Sequence, residues 1–271
     1  ALERFLDGPA SVYETERNRP DLCGTSRLSP HLALGTISPL RIWNAVGAAT
    51  ASGRAPEAQG AKFLSEIAWR EFAYHLLFHN PDIADAPIRK EFAGFPWRDD
   101  PAGFAAWTKG ETGVPIVDAG MRQLWRTGWM HNRVRMIAAS FLVKNLLIDW
   151  RKGERWFRDT LVDADPANNP AGWQWVAGCG ADAAPYFRIF NPATQGEKFD
   201  PDGDYVRRFA PEYAALPNDL IHAPWRAPQS ARSLQYPEPI VDLGQSRNRA
   251  LAAYKQIKAG AVDLEIAGAS A

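Results

Sequence analysis

The run "HNRVRMIAASFLVKNLLIDW" (131–150) narrows the fold more than any other part of the chain. After its first turn it is apolar on nearly every side, the pattern of a helix buried at the centre of a helical protein. Helical spacing recurs on either side of it. "AKFLSEIAWREFAYHLLFHN" (61–80) places apolar residues three and four apart, with Glu66, Arg70 and Glu71 between them. "PIVDAGMRQLWRTG" (115–128) opens on proline and closes on glycine, the usual order of helix start and stop. "RKGERWFRDTLV" (151–162) follows the central run directly. No stretch alternates apolar and polar residues between regular turns, which argues against a sheet protein. The reading is all-α, with 1–271 as one helical domain. Residues 200–240 are proline-rich and read as loop, followed by a short helix over 245–258 and a frayed tail.

Bulk numbers enter mainly by exclusion. Thirty-one basic residues balance 31 acidic ones, so overall charge does not announce a nucleic-acid partner, although local charge still can. Between 121 and 158, however, nine arginines and lysines face only Asp149 and Glu154, a local basic segment that reads equally as a solvated helix surface or as one face for a phosphate backbone. Cys23 and Cys179 lack metal-like spacing and suggest a reducing compartment. No apolar run approaches the ~18 residues of a membrane span. His75 and His79 are four apart without an acidic or thiol partner, and His131 has no ligand-spaced companion, so no metal is expected. Eleven tryptophans are many for 271 residues and raise the weight of stacking and redox roles.

Three stretches carry candidate chemistry. "GTSRLSPHLALG" (24–35) sets Thr25, Ser26, Arg27 and Ser29 ahead of a helix starting at Pro30, where free N–H groups can receive a phosphate. Alone, it reads more simply as a serine cap with proline behind it. "GWMHNRVRM" (128–136) puts Asn132 and Met136 on one helical face with Arg135 beside them, which suits a lined cavity or, equally, a helix start whose arginines reach water. "DADPANNPAGWQW" (163–175) gathers two carboxylates, two amides and two tryptophans. It fits a capped helix start, or a site gripping a flat, polar-edged ring. Trp173 and Trp175 project about 200° apart on a helix and so serve different neighbours.

These motifs, with "WREF", "ASFLVKNLLIDWR", "NNPAGWQW" and "DAAPYFRIFNPxTQGEKFDPDGDYVRR" (Ala193 at x), resemble the photolyase/cryptochrome family from about Tyr13 to about Tyr254. The likeness is to the helical FAD-binding domain, and within the family to class I cyclobutane pyrimidine dimer photolyases. The family's N-terminal α/β antenna domain is absent from this chain, so no antenna chromophore is assignable from it. The resemblance implies non-covalent FAD, active in its reduced form, and light-driven repair of cyclobutane pyrimidine dimers by electron transfer to a flipped-out lesion, a carbon–carbon lyase reaction. A cryptochrome-like blue-light photosensor is the alternative. It also implies DNA as partner, no membrane, a monomer, and a cytoplasmic, nucleoid-associated location in a bacterium.

Residue by residue, the resemblance implies that Tyr13, Thr25, Ser26, Arg27, Leu28 and Ser29 hold the diphosphate and adenosine, with Phe63 packed on the cofactor. Arg135 and Asp163 form the ion pair beside the isoalloxazine. Asp163, Ala164 and Asp165 meet its imide edge, and Asn169 faces its N5. Trp173, Trp150 and Trp97 form an electron-transfer chain from ring to surface. Trp69 and Trp175 wall the lesion pocket, where Glu66, Asn132 and Met136 touch the dimer; (6-4) photolyases carry histidines at the last two positions. Arg17, Arg133, Arg188 and Gln195 meet phosphates around the mouth.

Overall fold

A computed structural model describes residues 1–182, 187–227 and 236–268. Residues 183–186 of the long C-terminal motif, and 228–235 of the expected loop, lie outside the described residues. Among the described residues there is no strand. The helices are α1 (Leu2–Leu6), α2 (Tyr13–Glu16), α3 (Ser29–Ala33), α4 (Pro39–Ala51), α5 (Glu57–His79), α6 (Pro101–Lys109) and α7 (Pro115–Thr127). They continue with α8 (Asn132–Ser140), α9 (Trp150–Thr160), α10 (Asn168–Ala177), α11 (Pro192–Phe199), α12 (Asp204–Phe209) and α13 (Leu243–Gly268).

Local chemistry sets most boundaries. Ser38 caps α4 by accepting from the Arg41 N–H, Asp100 caps α6 through Gly103, and Asn191 caps α11 through Ala193. α7 begins at Pro115 and stops at Gly128, whose φ of 67° is left-handed, as the sequence predicts. α3 starts one residue before the expected Pro30: Ser29 is its first helical residue, and no side chain caps it.

The central run departs from expectation. Only Asn132–Ser140 is α-helical; Phe141–Asn145 forms a π turn, and the chain then breaks. Leu147 turns left-handed at φ 55°, and Asp149 caps a new helix by accepting from the Arg151 N–H at 3.0 Å. The apolar character persists across this break because both sides of it are buried, not because the helix continues. The last helix, expected over 245–258, runs Leu243–Gly268 and closes on the π turn. Ser246 Oγ accepts from Asn145 Nδ2 at 2.8 Å, and Arg249 donates to the Asn145 carbonyl at 2.7 Å.

Two apolar clusters result. The smaller joins Phe5, Tyr13, Leu28, Ile42, Val46, Phe63 and Ile67, from the N-terminal helices and the first half of α5. The larger is built from α7, α8, the π turn, α9, α10, α12 and α13. The seam between the two clusters is where the candidate site lies.

Candidate functional site

Three adjoining cavities follow this seam. The innermost, about 300 Å³, is walled by Arg135, Asp163, Asn169 and Trp173 and opens past Glu66, Trp69, Asn132 and Met136. Beside it, about 310 Å³ is lined by Tyr13, Thr25, Ser26, Arg27, Leu28, Ser29 and Phe63. An outer hollow of about 460 Å³ shares Arg17 with the second cavity and adds Trp175. The first two share Glu66, Arg70, Asn132, Arg135, Asp163 and Asn168, so they form one bent trough. Their sizes suit the roughly 300–1,000 Å³ of cofactor pockets. Residues 150 positions apart in sequence thus meet at one trough, because α5 runs along its whole length.

At the inner end the two carboxylates of "DAD" do different work. Asp163 Oδ2 accepts from Arg135 Nη2 at 2.7 Å, while its buried Oδ1 has no protein partner. Asp165 is fully engaged. Its Oδ1 takes the N–H groups of Ala167 and Asn168, and its Oδ2 takes Arg70 and the Tyr74 hydroxyl. The Asn168 amide and Arg70 hold the Asp165 carboxyl below the usual carboxylate range, against the opposing effect of its burial. Both Asp165 oxygens are thus engaged within the protein, whereas Asp163 Oδ1 is not. Asn169 donates from Nδ2 to the Glu154 carbonyl and to Glu154 Oε1, each at 3.0 Å.

Toward α3, the Tyr13 and Phe63 rings meet edge to face at 5.2 Å, and burial pushes the Tyr13 hydroxyl up to about 12. Arg27 takes a left-handed φ of 51° and lays its guanidinium 4.7 Å over the Trp129 ring. At the outer end Trp69 is 53% exposed and rests edge-on against Phe72, and Asn132 Nδ2 sits 3.8 Å from Met136 Sδ. Glu66 is ion-paired with Arg17, with Lys62 Nζ 3.5 Å from the same oxygen.

Of the residues expected around the mouth, Arg17 lines both the trough and the outer hollow, with its Nη1 on Glu66. Arg133, Arg188 and Gln195 lie outside the three cavities. Arg133 bonds Asn18 Oδ1 at 2.7 Å and lies over Phe199; Arg188 is exposed beside Phe190. Burial, with Arg17 and Arg188 nearby, lowers the Arg133 pKa.

Among the tryptophans, Trp173 lines the inner cavity and Trp175 the outer one, as their helical separation predicts. Trp150 is buried and Trp97 half-buried. The ring contacts of Trp173 are with Phe157 at 5.0 Å and Trp107 at 6.1 Å, while Trp97 packs on Phe95. Sequence reasoning missed Trp107, Arg70, Tyr74 and Glu154. Four-residue spacing was the available signal, Glu154 with Arg158 and Arg70 with Tyr74.

The donor set suits a flavin dinucleotide. The unpartnered Asp163 Oδ1 is an acceptor for an imide N–H, Arg135 supplies the facing cation, and the uncapped start of α3 adjoins the Thr25–Ser29 hydroxyls.

Comparison with known proteins gives the same direction. Residues 63–256 match the profile described as the FAD binding domain of DNA photolyase. The deoxyribodipyrimidine photo-lyase of Agrobacterium fabrum is 58% identical over 264 residues, covering 95% of this chain and 55% of that protein. A crystal structure of a bacterial class III photolyase from Agrobacterium tumefaciens is 58% identical, with a TM-score of 0.90 over 95% of this chain and 54% of that one. A Synechocystis cryptochrome is 34% identical, with a TM-score of 0.86 over 93% and 54%. The chain spans about half the length of the curated relatives it matches.

Proposed function

From the premise that this chain belongs to the family of the FAD binding domain of DNA photolyase, we propose that it carries the repair centre of a light-driven cyclobutane pyrimidine dimer photolyase. The observation that supports this most is the joining of two pockets: the trough that fits a bent FAD opens, past Glu66, between the indoles Trp69 and Trp175.

Reduced FAD, when bound, supplies the photoexcited electron that splits the dimer. The protein's part is to hold and orient. Thr25, Ser26, Arg27, Leu28 and Ser29 would receive the diphosphate, Tyr13 and Phe63 would pack beside it, and Arg135, Asp163 and the Ala164 backbone would fix the ring edge. Trp69 and Trp175 replace the stacking that a flipped base loses, worth about 1–3 kcal/mol per base. Glu66 has one oxygen on Arg17 and its other oxygen available to accept from a dimer base. Asn132 and Met136 complete the floor of that pocket, a pairing that favours cyclobutane dimers over (6-4) lesions. The fixed dipoles of the trough wall need no rearrangement as charge moves. Trp173, Trp150 and Trp97 would restore the reduced cofactor by passing electrons inward. Arg133, Arg188 and Gln195 would hold the DNA backbone outside the trough.

The finer readings belong to the same proposal: one catalytic domain over 1–271, acting as a monomer and on chromosomal DNA. The residues of the lesion pocket support a dimer photolyase of class I type, and the 58% identity to a class III photolyase makes class III its competitor. No helix of the described residues is long and apolar enough to cross a membrane.

The test uses chain loaded with chemically reduced FAD, an oligonucleotide carrying one thymine dimer, and blue light. Dimers should disappear only in the light, and Glu66→Ala should slow repair about tenfold or more, the loss of one charge-assisted hydrogen bond. Light-driven flavin reduction without any dimer loss would move the reading to a cryptochrome-like photosensor.

A further inference from the structure

We infer that Asn18 is a positioning residue for DNA: it holds the Arg133 guanidinium in place for a backbone phosphate without neutralising it. This rests on the DNA reading above. Asn18 lies half-buried in the turn that follows α2, and Arg133 is the second residue of α8. The Asn18 Oδ1 atom accepts from Arg133 Nη2 at 2.7 Å and from Nε at 3.3 Å. A guanidinium only donates, so the amide atom that faces it must be the oxygen. The same guanidinium lies 4.3 Å from the centre of the Phe199 ring. Both holds are neutral.

Other arginines around the two clusters are held differently. Arg70, Arg122, Arg135 and Arg158 are each fixed by a carboxylate. The charges that act on Arg133 are instead two further guanidiniums, Arg17 and Arg188. Lys198 adds a third cation, its Nζ 5.2 Å from the centre of the same Phe199 ring. Arg17 has Glu66 as its partner. Arg133, Arg188 and Lys198 have no carboxylate partner among the described residues, so positive charge accumulates here uncancelled. Like charges gathered on a half-buried surface repel one another until an anion arrives.

The identity of the side chain at position 18 therefore matters electrically. A carboxylate would fit the same space, grip Arg133 more firmly and cancel its charge. The amide forgoes that grip and keeps the charge for the phosphate. Each such charge displaces counterions from DNA and adds about 0.9 to the slope of log affinity against log salt. Asn18 thus helps set the salt response of the mouth through Arg133.

The experiment measures binding of a dimer-containing duplex and its undamaged counterpart at several salt concentrations. The unsubstituted chain, Asn18→Asp and Asn18→Leu are compared, each loaded with FAD and with its melting temperature recorded. Asn18→Asp, nearly the same shape, should lower the slope by a little under ~1 on both DNAs. Its binding should be about tenfold weaker near about 50 mM salt, the gap narrowing as salt rises. Asn18→Leu keeps the charge and loses only the hold. It should leave the slope unchanged and weaken binding about two- to tenfold, the cost of ordering one long side chain. A merely structural role would move both variants alike. An Asn18→Asp protein with an unchanged slope overturns the inference, as does an Asn18→Leu protein that binds as tightly as the unsubstituted chain or loses slope as Asn18→Asp does. Either variant decides if the other does not fold. An unsubstituted chain whose DNA binding ignores salt overturns the DNA reading itself.

Discussion

His131 caps the start of α8 as a neutral imidazole, its Nδ1 accepting from the Arg133 N–H at 3.1 Å. Burial first, and then Arg135, Arg133 and Arg27, push its pKa down to about 4. Because the folded value lies below the unfolded one, the unfolded chain binds the proton more readily between the two. The stability it contributes is fully present above about pH 6.5 and is lost as pH falls toward 4. Between pH 7 and pH 5 the unsubstituted chain should therefore lose about 2 kcal/mol more than His131→Asn, whose oxygen can also cap. Urea unfolding of both proteins at the two pH values measures the difference, and parallel losses would reject it. A second prediction separates two kinds of DNA contact. Trp69→Ala removes a stacking wall and should weaken binding of dimer-containing DNA far more than undamaged DNA, at an unchanged salt slope. Arg133→Ala should weaken both alike and lower the slope by a little under ~1. Titrations at several salt concentrations read both effects; equal losses on the two DNAs for Trp69→Ala would remove the flipped-lesion pocket. At this scale the sequence displayed the residues that face the trough but not those behind them. Glu154 reads in "RKGERWFRDT" as an ordinary pair with Arg158 on a helix surface. Its burial is decided by how closely α9 approaches α10, which no local pattern encodes. The division of labour between Asp163 and Asp165 was hidden for the same reason, since Arg70 and Tyr74 lie about ninety residues away.

Helices with a start and a stop residue in the sequence were legible, and helices whose ends are set by burial were not. α7 carries its own start and stop in Pro115 and Gly128. The central run does not: its apolar residues continue through the π turn and past Leu147, so periodicity alone extends the helix too far. Asp149 was the missed signal, a cap residue directly before Trp150. The contact between α9 and α10 gives a prediction of its own. Gly→Ala within a helix ordinarily stabilises by up to about 1 kcal/mol. At Gly153 the added methyl would overlap the Trp173 ring, so Gly153→Ala should instead destabilise by roughly 1–3 kcal/mol. It should also slow light-driven flavin reduction, because Trp173 must shift. A shift of the urea midpoint to higher concentration would show that the two helices separate freely.

Over the whole molecule, the trough takes one wall from each apolar cluster: Tyr13, Leu28, Phe63 and Ile67 from the smaller, Phe157, Leu161, Trp173 and Val176 from the larger. A dinucleotide lying along it touches both, so binding and stability are linked. At FAD a hundredfold above its dissociation constant, stability should rise by about 2.7 kcal/mol. Calorimetry with and without FAD would show a higher melting temperature for the loaded chain, and the melt should release one flavin per chain; flavin that stays attached would mean a covalent link. The closure of α13 on the π turn has a consequence for how the protein is made. The Asn145 carbonyl receives Arg249, a residue that follows it by 104 positions. At roughly 5–20 residues per second of synthesis, that partner arrives on the order of 5–20 s later. During that interval the nascent central segment stands with its polar turn uncovered, in the company of the ribosome and whatever chaperones attend it.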